Sequence, residues 1–193
     1  GDYSHTIERE SDYLVLVGDV GGHNSKQVAE LAQEIIQCVS DNQNCPLTEI
    51  VTAVQKIKSL QRLGTTIWLG KINKNIPLLQ YILVGNLKLF LKTEEEISLL
   101  EGQQGMLGLQ PLQELKLFST KLHNQDQLIC ATDGVSNTIA HEIELLDEAT
   151  LLENWVKASL KKCQKQDDDA LLFALSCHYK NEFNYPKHPQ PTD

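Results

Sequence analysis

Carboxylates stand where apolar runs begin or end. Asp19 closes the run Tyr13 to Asp19, Asp133 follows Gln127 to Thr132, and Asp167, Asp168 and Asp169 precede Ala170 to Leu175; Asp2 is a candidate fourth. Carboxylates gathered with no Lys or Arg among them repel one another and have raised pKa values, unless a cation holds them together. A cluster of metal ions resolves that conflict. Oxygen-only ligands favour Mg²⁺ or Mn²⁺ over zinc, because the surrounding sequence offers few histidines and no pair of thiolates. A single aspartate beside a strand is usually a turn former or cap. The order and spacing of the set therefore carry the reading.

The elements that must position these residues follow from periodicity. Tyr13 to Asp19 is a short continuous apolar run that opens into Gly21-Gly22, which suits a buried strand with chemistry at its end. No Gly-Lys-Ser/Thr follows those glycines, so they are not a P-loop and instead let the backbone turn closely. Val28, Ala32, Ile35 and Val39 recur at helical spacing after Ser25, a residue suited to the N-cap. A second helix follows Pro46, with Leu47, Ile50, Val51, Val54 and Ile57 on one face. The period then changes. Residues 65–69, 78–84, 87–91, 112–118 and 127–131 read as strands, with Gly85-Asn86 as a tight hairpin turn. A helix over 148–162 precedes a last strand over 170–177. Helices grouped between runs of strands indicate an α+β layered fold.

The chain has 193 residues, 41% hydrophobic and 22% charged, enough for one domain with a real core. That domain is expected over residues 1–179, with a loose polar tail over 180–193 that carries three prolines. The formal charge is -9 and no basic run occurs, which argues against nucleic acid or an anionic membrane surface as partner. Five scattered cysteines without a CxxC pair fit a reducing cytoplasm. No apolar run approaches the roughly 20 residues of a membrane span, and the start lacks the order of a signal peptide. Because the first residue is Gly rather than Met, further chain can precede it. Trp68 and Trp155 read as core, and Glu94-Glu95-Glu96 as a solvated turn.

Six short segments in order resemble the PPM-type metal-dependent serine/threonine phosphatases, most closely their small bacterial sporulation and stress-response branch. They are Gly1-Asp2, Gly18-Asp19-Val20-Gly21-Gly22-His23-Asn24, Gly64-Thr65-Thr66, Val84-Gly85-Asn86, Thr132-Asp133-Gly134-Val135 and Asp167-Asp168-Asp169-Ala170. The resemblance implies a four-layer α-β-β-α sandwich with a metal site at one end. It implies that Asp19 bridges two Mn²⁺ or Mg²⁺ ions, that Asp133 and Asp167 complete one of them, and that the Val20 carbonyl binds the other. Asp168 is the alternative to Asp167, and Asp2 would act through coordinated water. His23 would donate to phosphate or protonate the leaving oxygen, or else only shape its turn. The substrate implied is a phosphorylated regulatory protein, acted on by a monomer. Three departures stand out: Val20 replaces the family's usual Gly, the family's edge strand before Gly1-Asp2 is either missing or dispensed with, and residues 101–111 are too short for an elaborate flap. The first two motivate the alternative of a pseudophosphatase that only binds protein.

Overall fold

The computed structural model describes residues 1–22, 26–109, 112, 114–147, 150–166 and 168–179. In chain order the elements are β1 (Asp2–Glu8), β2 (Asp12–Val20), α1 (Lys26–Asp41), α2 (Leu47–Gln55), α3 (Leu60–Leu63), β3 (Thr65–Asn73), β4 (Leu78–Val84), β5 (Lys88–Lys92), β6 (Ile97–Leu99), β7 (Phe118–Lys121), β8 (Gln127–Ala131), α4 (Ile139–Glu144), α5 (Leu152–Cys163) and β9 (Leu172–Ser176). They build a five-stranded sheet, β1-β2-β3-β4-β7, and a four-stranded sheet, β6-β5-β8-β9. Every strand pair is antiparallel.

Alternation along the strands assigns each side chain to a layer. In β2, Leu14 and Leu16 pack with Val28, Leu31 and Ile35 of α1 and with Ile50 and Val54 of α2. Val15 and Val17 point the other way and meet Leu89, Leu128 and Cys130 of the second sheet. Both faces of β2 are thus buried, which is why it reads as an unbroken apolar run rather than an alternating one. Trp68 of β3 is fully buried between the sheets and meets Phe173 of β9 edge-on, with ring centroids 5.9 Å apart. On the outer face of the second sheet, Ile129, Ala131 and Leu172 pack with Ile139 and Ile143 of α4 and Trp155 of α5. Three apolar layers therefore separate four layers of structure: the α-β-β-α sandwich.

Four details differ from the sequence reading. Gly85-Asn86 is no hairpin, because β4 is flanked by β3 and β7 while β5 is flanked by β6 and β8; the turn passes the chain from one sheet to the other. The strand expected over 112–118 begins only at Phe118; Leu115 packs toward the helices and Leu117 is 51% exposed, so the apolar residues there face no sheet partner. A strand the sequence reading did not assign, β1, pairs with β2 from Asp2↔Asp19 to Glu8↔Tyr13. The last helix spans Leu152–Cys163. The Ser25 cap and the 180–193 tail lie outside the described residues. Among the described residues no helix is long and apolar enough to cross a membrane, and the five cysteines are free.

Candidate metal centre

Strand register brings the acidic residues to one end of the sandwich. Asp2 and Asp19 lie directly opposite each other at the ends of β1 and β2. On the second sheet, Asp133 comes two residues after Ala131, which pairs with Leu172, and Asp168 and Asp169 lie just before that same partner strand. Thr132 joins the sheets. Its fully buried hydroxyl donates to Asp2 Oδ2 at 3.0 Å and accepts from the Leu171 backbone N–H at 2.9 Å, while its own N–H donates to the Leu171 carbonyl.

The carboxylates feel one another. Burial, then the charge of Asp19, pushes the Asp2 carboxyl up to about 7, with Asp169 adding to the rise and the Thr132 hydrogen bond opposing it. Burial also raises Asp19; the amino group of Gly1 opposes that rise, and Asp133 and Asp168 add to it. Such elevations are expected where negative groups share a partly dry site without a compensating cation.

Local packing fixes the loops that carry these groups. Tyr3 bonds to Thr65 Oγ1 at 2.9 Å, and that hydroxyl donates to the Asp19 carbonyl at 2.8 Å. The Tyr3 ring crosses Gly18 so closely that a Cβ there would lie 2.3 Å from it. Gly134 does the same for the opposite wall, since a Cβ would stand 1.7 Å from the Asp169 carbonyl oxygen. Asn86 Nδ2 donates to Asp133 Oδ2 at 2.9 Å. Val20 is a strand residue paired with Thr65, its side chain fully buried in the helix-side core. Its β-branched side chain therefore suits its place, and its carbonyl accepts from the Gly1 nitrogen.

The donor set suits a hard divalent cation. Asp2 Oδ1 is buried and has no hydrogen-bond partner among the described residues, an arrangement that is costly unless something positive meets it. The Gly1 nitrogen lies 2.9 Å from Asp19 Oδ1, 2.5 Å from the Val20 carbonyl and 3.3 Å from the Gly22 carbonyl, so three oxygens at the end of β2 converge on one point. Among the described residues, no three His, Cys, Asp or Glu side chains stand close enough to share one ion as placed. His23 and Asp167, both expected at the site, lie outside the described residues. Thr132 and Asn86 stand in segments the sequence reading quoted, but it gave neither a role at the site.

The sequence pattern of the stage II sporulation protein E (SpoIIE) family matches residues 9–178. The chain belongs to that family. The SpoIIE match includes Asp19, Asp133 and Asp168, and begins after Asp2. Comparison with curated proteins gives no match. Among solved structures, RsbX in complex with magnesium is 20% identical with a TM-score of 0.73, covering 90% of this chain and 84% of that one. The RsbU and RsbW domains of a Mycobacterium tuberculosis protein are 18% identical with a TM-score of 0.80, over 94% of this chain and 57% of the other. The PP2C phosphatase domain with a regulatory fragment of SpoIIE from Bacillus subtilis is 15% identical with a TM-score of 0.75, over 93% and 59% respectively. The chain thus spans somewhat over half the length of these last two. These likenesses establish a shared PP2C-like fold.

Proposed function

We propose that this SpoIIE-family chain is a metal-dependent phosphoserine/phosphothreonine protein phosphatase acting on a regulatory protein of stress or sigma-factor signalling. What supports the reading is the register that sets Asp2 opposite Asp19 at one end of the sandwich, with Asp133 and the Asp168 segment at adjoining strand ends, and Asp2 Oδ1 buried without a partner among the described residues. Asp19 and the Val20 carbonyl would hold one Mn²⁺ or Mg²⁺ ion; Asp19, Asp133 and Asp168 would hold the other. Asp168, whose charge reaches Asp19, stands here beside Asp167, which lies outside the described residues. Two such ions, when bound, supply a water nucleophile at neutral pH and neutralise charge on the phosphoryl oxygens.

The chain's own residues orient that chemistry. Thr132 fixes one oxygen of Asp2 and leaves the other facing the site, where it would accept from water. Asn86 fixes one oxygen of Asp133 and leaves the second for the centre. His23 would protonate the leaving serine or threonine oxygen. The substrate class is supported by the neighbours, which include the RsbU and RsbW domains of one protein and the cell fate determinant SpoIIE. The chain would work in the cytoplasm as a monomer. The pseudophosphatase alternative has less support once Val20 is a well-packed strand residue.

The test is phosphate release from a phosphoserine protein with and without Mn²⁺. Release is expected only with the metal, falling about 10²-fold or more in Asp19→Asn, the scale of losing one transition-state contact. A folded protein that binds the phosphoprotein but releases nothing at any Mn²⁺ concentration would make it a binding module.

A further inference from the structure

A cavity of about 660 Å³, a size that small organic ligands occupy, lies at the far end of the second sheet from the proposed metal centre. β8 runs from Gln127 to Ala131 toward Asp133, and β5 pairs with it antiparallel, so Lys92↔Gln127 is the end of the ladder away from that centre. The walls are the turn between β5 and β6, the turn before β8 and the residues that follow α4. Among the described residues the lining holds five carboxylates, Glu94, Glu95, Glu96, Asp126 and Asp147, against one lysine, Lys92, and one histidine, His123. Both turns are fixed by hydrogen bonds. The Thr93 hydroxyl accepts from the Glu95 and Glu96 N–H groups, Asp126 Oδ2 accepts from the His123 N–H at 2.7 Å, and the Cys177 N–H donates to the Asp126 carbonyl.

Exposed acidic side chains are ordinarily solvated, and it is the buried wall that marks this cavity as a site. In β8, Leu128 and Cys130 point between the sheets while Ile129 and Ala131 face the helices, so alternation turns Gln127 to the helix side, where Leu146 is buried in the same layer. Gln127 is 7% exposed, yet its Oε1 has no hydrogen-bond partner among the described residues. A buried amide oxygen left unmet is costly, and a donor entering the cavity relieves that cost. Asp126 is 3% exposed, and the basic group beside its carboxylate is the His123 imidazole, with Nδ1 3.4 Å from Oδ2. The cavity thus calls for a cation with several N–H donors. Lys92 stands directly opposite Gln127 on the same face, so a compact dication at Gln127 would meet an ammonium. A guanidinium is planar, has five donors and no acceptor, and is more weakly hydrated than an ammonium. It can lie against Leu146 with one N–H on Gln127 Oε1 and direct the others toward the carboxylates.

We infer that this cavity is a binding site for an organic cation bearing a guanidinium group, met at depth by Gln127 Oε1 and at the rim by the exposed carboxylates of Glu94 and Asp147. The site uses none of the acidic residues at the other end of the sandwich and stands independently of the phosphatase reading. The formal charge of -9 attracts any cation from a distance. Gln127 supplies the discrimination, because its buried oxygen rewards a ligand that brings an N–H donor to that depth.

Calorimetric titration at low salt compares agmatine with putrescine, which carries an ammonium in place of the guanidinium, and with Ca²⁺, on wild type, Gln127→Leu, Glu94→Gln and Asp147→Asn. Agmatine is expected to bind one-to-one and more tightly than putrescine. Gln127→Leu should weaken it roughly tenfold, the effect of one hydrogen bond to a charged group. Each rim variant should weaken it about two- to fivefold, an effect that shrinks as salt is added. Gln127→Leu removes an unmet polar atom and should melt no lower than wild type; if it does not fold, the two rim variants, changed at exposed side chains, decide the matter. Nα-acetylarginine amide tells a guanidinium carried on a polypeptide from a free one: binding of either upholds the site, and the tighter of the two names the source. No saturable agmatine binding, or binding that all three variants leave unchanged, would overturn the inference. So would loss in the rim variants alone with a folded Gln127→Leu binding as wild type does, or putrescine or Ca²⁺ binding as tightly as agmatine with the same losses. Asp19→Asn should keep wild-type agmatine affinity whatever it does to phosphate release, so the two readings fail separately.

Discussion

At Asp2 one carboxylate oxygen is held by Thr132 and the other is buried without a partner among the described residues. Its carboxyl stands at about 7 in the metal-free protein against 3.8 ordinarily. The folded state thus retains a proton that the unfolded chain gives up, so stability is full below about pH 4 and is lost as pH rises through 7. The metal-free protein should melt at progressively lower temperature from pH 5 to pH 8, and Asp2→Asn should flatten the profile. Saturating Mn²⁺ should raise the pH 8 melting temperature of wild type more than that of the variant; a flat wild-type profile would contradict the placement of Asp2. Thr132→Val removes the donor to Asp2 and is expected to cost about 1–3 kcal/mol in denaturant unfolding and to weaken Mn²⁺ binding, as for any buried polar group left unpaired. Asp19 and Asp133 were legible because each ends an apolar strand beside a glycine. Thr132 and Asn86 were not, because their roles depend on partners 130 and 47 residues away along the chain.

Among the elements, strands buried on both faces announced themselves and edge strands did not. β2 and β8 are continuous apolar runs, since one face meets helices and the other meets the opposite sheet. β1 alternates buried and exposed positions at the margin and carries polar residues on its open face, so its pattern is weak. The turn at Gly85-Asn86 has the residues of a hairpin, yet both flanking strands find other neighbours; turn chemistry sets a local bend and does not choose the sheet. Close approach between elements gives the sharpest test here. Gly134→Ala would drive a methyl into the Asp169 backbone and displace the segment bearing Asp168. Mn²⁺ affinity is expected to fall at least about tenfold, the typical cost of disturbing groups that support metal ligands, with the fold retained by circular dichroism.

For the molecule as a whole, the two sheets serve as a clamp whose end brings together acidic residues from opposite termini of the domain. Trp68, fully buried between the sheets and edge-on to Phe173, ties the clamp. Trp68→Ala should cost about 3–5 kcal/mol in equilibrium unfolding, the usual range for emptying such a volume from a core. Layer order was readable from the grouping of helices between strand runs, whereas the partition of strands between the sheets emerges only from packing. The account turns on paired divalent ions at the meeting point of Asp2, Asp19, Asp133 and Asp168. Anomalous diffraction at the manganese edge from crystals grown with Mn²⁺ tests that most directly. Two peaks should appear against Asp19, one toward the Val20 carbonyl and one toward Asp133 and Asp168; a fully occupied data set with no peak touching Asp19 would contradict the account.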